Sequence, residues 1–260
     1  MNAEIENMAR NFYGYGRWDA PYWFIGPEPG GENNDLRATV WNEMGASDLL
    51  DCKEFHDSLA ETMRKSGNDP KSVDKVKKLF RESPEPAFQP TWRKLMLFLK
   101  AYRPALKELS DLRSYQRDFW GSVDAVRGKT CIIELSGLSF KSFRQSRAHQ
   151  DELKKDGLEG EWNGIIQTRV RHICDKMRES KSKLELVVMY GFDAEEHWKK
   201  IAGPELKLAR NRSSKQEGES VTIVYVQHPT WPPRRDKIPD CLVTDFDWVK
   251  LAEKTRGDSE

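Results

Sequence analysis

Apolar positions gather into four short runs: Tyr22–Ile25, Thr130–Leu135 (TCIIEL), Leu184–Tyr190 (LELVVMY) and Val221–Gln227 (VTIVYVQ). They are rich in β-branched and aromatic residues and break off into loops, the pattern of strands buried on both faces. Between them the period is helical. Residues 3–13 have helical character, and residues 91–109 carry Leu95, Leu97, Phe98, Leu99 and Tyr102 behind Thr91 as N-cap, with Pro104 to kink or end the helix. Trp162–Arg178 repeats Ile165, Ile166, Val170, Ile173 and Met177 at helical spacing. Asp193 is expected to cap a helix over 194–202, and residues 246–255 form a terminal one. Residues 47–66 and 70–82 also read as helical but are polar. This predicts a helical insertion, about 42–90, packed on the rim rather than in a core layer, punctuated by Asn68-Asp69-Pro70 and Pro84-Glu85-Pro86.

Strands alternating with helices predict an α/β fold, a three-layer α/β/α sandwich with a central four-stranded parallel sheet. The absence of repeats, low-complexity tracts and Gly/Ser linkers predicts a single domain over residues 1–260. In such sheets ligands bind beyond the carboxyl ends of the strands. Three of the four runs open there into loops of unusual make-up: GPEPGG from Gly26, SGLSF from Ser136 and HPTWPP from His228.

Composition narrows the classes. Charged residues are 33% of the chain and hydrophobic residues 37%, and no apolar run approaches the roughly 20 residues of a membrane helix. The opening MNAEIENMARNFYGYGRWD has no apolar stretch of the secretory kind, so the expected location is the cytoplasm. Net charge is +1, so a nucleic-acid partner has to be met by local positive potential. Cys52, Cys131, Cys174 and Cys241 are scattered without a C-x-x-C pair, which predicts reduced packing residues rather than a zinc ribbon or a disulfide framework. There is no Walker A, G-x-G-x-x-G or G-x-S-x-G pattern to point to a nucleotide-binding protein or an α/β-hydrolase.

Two loops carry the candidate chemistry. Gly26-Pro27-Glu28-Pro29-Gly30-Gly31 is stiff, brings backbone close to a ligand and holds one carboxylate, Glu28. His228-Pro229-Thr230-Trp231-Pro232-Pro233-Arg234-Arg235 places a histidine directly after an apolar strand, then a tryptophan in a proline-stiffened loop, then two arginines. Taken alone, the first is also compatible with a simple strand-to-loop turn and the second with a surface turn.

A strand ending in G-x-[DE]-P near the start and one ending in H-P-[ST] near the end resembles the uracil-DNA glycosylase superfamily. The resemblance spans about residues 20–250 in element order and is specific at these two motifs. It implies that Glu28 is the acidic residue that positions water, and that His228, in His228-Pro229-Thr230, acts on the leaving base. It implies that Trp231 and Pro232 push into the duplex where the base has been. Gly26, Pro27, Pro29 and Gly30 would line the sugar and base, and Thr230, Arg234 and Arg235 would contact DNA. The superfamily also places an aromatic ring under the flipped base; Trp41 is the candidate here, with Tyr22 and Trp23 competing as core residues. Two basic runs, Lys141, Arg144 and Arg147, and Lys207, Arg210, Arg212 and Lys215, are read either as backbone contacts to DNA or as solvated faces. The second is expected to be a loop that orders on DNA.

The sequence departs from the superfamily at the second strand. Members usually end it with an Asn that reads the uracil edge; here the segment is Ile133-Glu134-Leu135-Ser136-Gly137, leaving Glu134 or Ser136 as replacements. The four cysteines do not match the iron–sulfur branch, so no cluster, metal or other cofactor is expected. The resemblance therefore implies an enzyme that hydrolyses the N-glycosidic bond of a flipped-out pyrimidine in DNA and leaves an abasic site, as in repair; the expected state is a monomer. Two alternatives stand beside it. The missing Asn and the insertion favour the same chemistry on a bulky modified base, such as glucosylated hydroxymethylcytosine of phage DNA, in antiviral defence. The other is a non-catalytic nucleic-acid-binding module, which would need neither Glu28 nor His228.

Overall fold

The computed structural model describes residues 3–27, 33–82, 86–139, 159–203, 210–214, 221–230, 242 and 244–257. The strands among them are β1 (Gly14–Tyr15), β2 (Tyr22–Gly26), β3 (Leu49–Leu50), β4 (Thr130–Glu134), β5 (Leu186–Tyr190), β6 (Arg212–Ser214) and β7 (Thr222–Val226). They form one seven-stranded sheet in the order β3-β1-β4-β2-β5-β7-β6. The four apolar runs are its parallel centre, β4-β2-β5-β7, and every residue of those strands is buried. The sheet is larger than the expected four strands, and mixed: β1 runs antiparallel to β4, and β6 antiparallel to β7.

Helices cover both faces: α1 (Ala3–Asn11), α2 (Asn34–Glu43), α3 (Cys52–Lys65), α4 (Pro70–Lys77), α5 (Pro90–Tyr102), α6 (Leu112–Asp118), α7 (Glu159–Glu179), α8 (Glu195–Ala202) and α9 (Asp245–Gly257). Alternation along β2 sends Tyr22 and Phe24 to one face and Trp23 and Ile25 to the other. On the first face Phe24 meets Trp120 at 5.0 Å, and Gly121 lies against Ile132, Tyr15 and Cys52. On the second, Trp23 packs on Trp18, which in turn meets His172 of α7, and Tyr225 packs on Phe192 ahead of α8. α9 docks on α5, where Asp245 pairs with Arg93 and, at 2.8 Å, with Lys94.

The region 42–90 is helical as expected, but it is not a rim. Leu49 and Leu50 join the sheet edge, and Cys52, Phe55, Leu59, Ala60, Val73 and Phe80 are buried in the core. The polar residues that dominate its composition are one face of α3, while Cys52, Phe55 and Leu59 recur at helical spacing on the other. Helix ends also moved. α5 begins at Pro90 with Gln89 as cap, its Oε1 accepting from Trp92 N–H at 2.7 Å, because proline suits the first helical position. Asp193 is not the N-cap of α8: it sits in a 3-10 turn, Phe192–Ala194, and Ala194 precedes the helix without a side-chain cap.

One buried cation ties the layers together. Arg169 of α7, fully buried, donates to the carbonyls of Leu135 and Glu134 at 2.7 Å each and of Ala9 at 3.0 Å, and lies over the Tyr13 ring at 4.2 Å. Burial lowers its pKa to about 10, so it stays charged at neutral pH.

Candidate active site

The chain leaves β2 toward β4 on one side and leaves β5 toward β7 on the other. The crevice beyond the carboxyl ends of β2 and β5 is therefore the topological switch point, where open α/β sheets take their ligands. The residues at that edge come from three strand ends and the segment that follows a fourth.

Gly26 ends β2, paired in register with Glu134 of β4. Continuing the β2–β5 register by one residue sets Tyr190 on its other side. Aligned residues of parallel strands share a face, so Glu134, Gly26 and Tyr190 form one row with glycine in the middle. Tyr190 fills the vacancy: a Cβ placed on Gly26 would lie 2.2 Å from the Tyr190 hydroxyl. Tyr190 is also level with Val226 of β7, and His228 lies two residues further along; the two rings meet edge to face at 5.6 Å. Gly191, at φ +92°, turns the chain away after β5, and a Cβ there would touch Pro27 at 3.3 Å.

Pro27 is held from the opposite strand end, its carbonyl accepting from Ser136 N–H at 2.9 Å, while Leu135 N–H donates to the Gly26 carbonyl at 2.8 Å. The Ser136 hydroxyl accepts from Leu138 N–H at 3.1 Å, so this side chain builds the turn. Across the loop, Asn34 at the start of α2 brackets Ser139, accepting from its N–H at 2.8 Å and donating to its carbonyl at 3.1 Å.

His228 is partly buried, and that burial lowers its pKa to about 4, leaving it neutral near pH 7. Its tautomer is set by its neighbour. The Thr230 backbone N–H donates to Nδ1 at 3.3 Å, so Nδ1 is the acceptor and Nε2 carries the hydrogen. The ring is thus a neutral donor. Thr230, expected as a DNA contact, serves here as its orienting partner. Gln227, one residue earlier, is clamped by the Leu242 carbonyl and N–H at 2.9 and 3.0 Å, and its own N–H donates to Asn211 at 3.0 Å. Burial first, and then the Glu134 carboxylate, hold the Tyr190 phenol well above its usual pKa, so it too remains protonated.

Of the sequence-predicted residues, the structure brings Gly26, Pro27, Glu134, Ser136 and His228 to one edge. Glu28, Pro29, Gly30, Trp231, Arg234, Arg235, Arg144 and Arg147 lie outside the described residues, as do Lys141, Lys207 and Lys215. Trp41 is not at the crevice. It is a core residue of α2, seven positions and about 10 Å along the helix from Asn34, with its indole N–H on the Ser47 carbonyl at 2.7 Å. Arg210, expected as a DNA contact, is paired with Glu195 at 2.8 Å and stacked over Phe192. Arg212 opens strand β6, so part of the expected loop is a sheet edge. Tyr190, Gly191, Asn211 and Gln227 escaped the sequence reading. The signal for Tyr190 was present, a polar-tipped aromatic closing an apolar strand just before a glycine.

No protein-family model, no curated protein and no solved structure matches the chain. Among the described residues, no group of three or more His, Cys, Asp or Glu side chains could hold a metal ion, and no helix is long and apolar enough to cross a membrane.

Proposed function

We propose that this chain is a DNA glycosylase, an N-glycosyl hydrolase acting on a base drawn out of the stack. The observation that carries the reading is His228: a histidine at the switch-point edge, neutral, with its tautomer fixed so that Nε2–H faces outward from the Thr230 contact. Breaking the C1′–N bond sends the bonding electrons to the base and leaves an oxocarbenium-like sugar. A neutral donor aimed at the base's carbonyl oxygen stabilises the developing anion without a net charge of its own to desolvate. Glu28, one residue beyond the tethered Pro27, supplies the carboxylate that favours the sugar cation and orients water. Water adds at C1′, and the proton it loses neutralises the departing base anion, giving a free base and an abasic sugar. The chemistry requires no metal or organic cofactor. Arg234, Arg235, Arg144, Arg147 and Arg212 are assigned to the phosphates, and Trp231 to the gap left by the flipped base.

The test is base release. Purified protein and Glu28→Ala are incubated with uracil-containing DNA and with phage DNA bearing modified cytosine, and free bases and abasic sites are followed by mass spectrometry. The expected result is release by the parent chain and a loss of about 100-fold or more in the variant. DNA binding without release from either substrate would replace this reading with a non-catalytic binding module.

A further inference from the structure

We infer that the Glu134–Gly26–Tyr190 row reads the base, and that it selects an amino-bearing, cytosine-class pyrimidine over uracil. This rests on the glycosylase reading and adds the substrate class to it.

Strand register sets the row. Glu134 and Tyr190 flank Gly26 on the same face of adjacent strands, with strands about 4.8 Å apart, and Tyr190 leans over the glycine toward Glu134. Both side chains are buried, Glu134 at 5% exposure and Tyr190 at 2%, so their hydrogen-bonding roles matter: a buried polar group facing the wrong partner is costly. As the carboxylate that raises the Tyr190 pKa, Glu134 only accepts, and the protonated phenol of Tyr190 donates. The row therefore offers an acceptor next to a donor.

Cytosine's Watson–Crick edge is the complement. Its exocyclic N4 amino group donates, to Glu134, and its N3 accepts, from the Tyr190 hydroxyl. Uracil presents the reverse: O4 would face the carboxylate, two acceptors in a dry site, and N3–H would face a donor. An amide in place of the carboxylate would remove the clash, because its NH2 can donate to O4. The reading edge also lies on the face of His228, whose Nε2–H remains for the base's O2 carbonyl. A substituent on C5 points away from the N3–N4 edge, so this reading applies equally to C5-modified cytosines.

The experiment uses the full chain, Glu134→Gln and Tyr190→Phe, each checked for its melting temperature and for DNA binding. The substrates are DNAs with one uracil, cytosine or 5-hydroxymethylcytosine at a defined position, and phage DNA with glucosylated hydroxymethylcytosine. The readout is the free base by mass spectrometry. The expected result is release of a cytosine-class base by the parent chain at least about 10-fold faster than uracil. Glu134→Gln should cut that release by about 10–100-fold, the discrimination typical of one good base-edge pair, and raise uracil release. Tyr190→Phe should lower cytosine-class release without raising uracil, and stands as the second arm if Glu134→Gln does not fold. Preferential uracil release by the parent chain, or substrate ranking unchanged in both variants, would overturn the base assignment while leaving the glycosylase reading intact. No base released from any DNA would remove the glycosylase reading, and the assignment with it.

Discussion

Gly26→Ala is the sharpest probe of how the crevice is built. Its methyl group would sit 2.2 Å from the Tyr190 hydroxyl oxygen and 2.4 Å from the ring carbon bearing it, where real contacts begin near 3.4 Å. The ring must shift by more than 1 Å, yet it is 2% exposed, with the His228 ring 5.6 Å away. Overpacking of this kind costs about 1–3 kcal/mol. The backbone at Gly26 is not left-handed, so alanine would otherwise gain roughly 0.5–1 kcal/mol in a strand. The net expectation is a loss of about 1 kcal/mol, or a melting temperature about 2–4 °C lower. Tyr190→Ala alone should cost about 3 kcal/mol as a large-to-small core change. If the clash is the cause, the double variant costs less than the sum by about 1–3 kcal/mol, because the methyl then enters space the ring has vacated. Urea unfolding of the four proteins measures this directly. A Gly26→Ala protein as stable as its parent, or strictly additive costs, would show that Tyr190 does not occupy the space over Gly26.

Other expectations follow from the same geometry. Arg169→Met strands the carbonyls of Leu135, Glu134 and Ala9 and should destabilise by about 3–5 kcal/mol; thermal melts check it, and a loss under 1 kcal/mol would mean those carbonyls find other donors. Trp41→Phe removes the bond to Ser47 and should cost about 1–2 kcal/mol in stability while leaving base release unchanged; a selective loss of release would return Trp41 to the site. His56, ringed by Tyr15, Phe55, Phe80 and Trp92, and His228 both titrate near 4 when folded against 6.5 when unfolded. Their contribution is full above about pH 6.5 and is lost as pH falls toward 4, where the unfolded chain binds protons that the folded one refuses, at roughly 3 kcal/mol per histidine. NMR titration of the ring protons decides it: a midpoint near 6.5 for either histidine would remove its share. Base release that depends on neutral His228 should accordingly persist from pH 8 to 5.

The centre of the fold was legible because Tyr22–Ile25, Thr130–Leu135, Leu184–Tyr190 and Val221–Gln227 are apolar on both faces, a pattern that only a covered parallel strand needs. The edges were not. β1 and β3 are two residues long, too short for any period, and β6 is Arg212-Ser213-Ser214, polar because one side meets solvent. The buried face of α3 was hidden by averaging over a polar segment. The crevice itself was readable from the loops that end the strands, since Gly26, Pro27, Glu134 and His228 arrive there by chain connectivity. The row that joins Glu134 to Tyr190 was not, because strand order and register are set by tertiary packing and leave no local trace. Trp41 misled for a related reason: its indole is as well suited to a core as to a base, and only its place along α2 separates the two.

The position of β7, inserted between β5 and the edge strand β6, also governs when the site can exist during synthesis. A nascent chain that has emerged through residue 203 already holds Gly26, Glu134 and Tyr190, but neither His228 nor the strand that aligns it. Until then the open side of β5 is a row of unpaired backbone groups carrying Leu-Val-Val-Met-Tyr, the kind of edge that recruits stray strands. The segment after residue 203 therefore does two jobs in one step: β7 seals the apolar edge of β5, and the residues just beyond it set His228 against Tyr190.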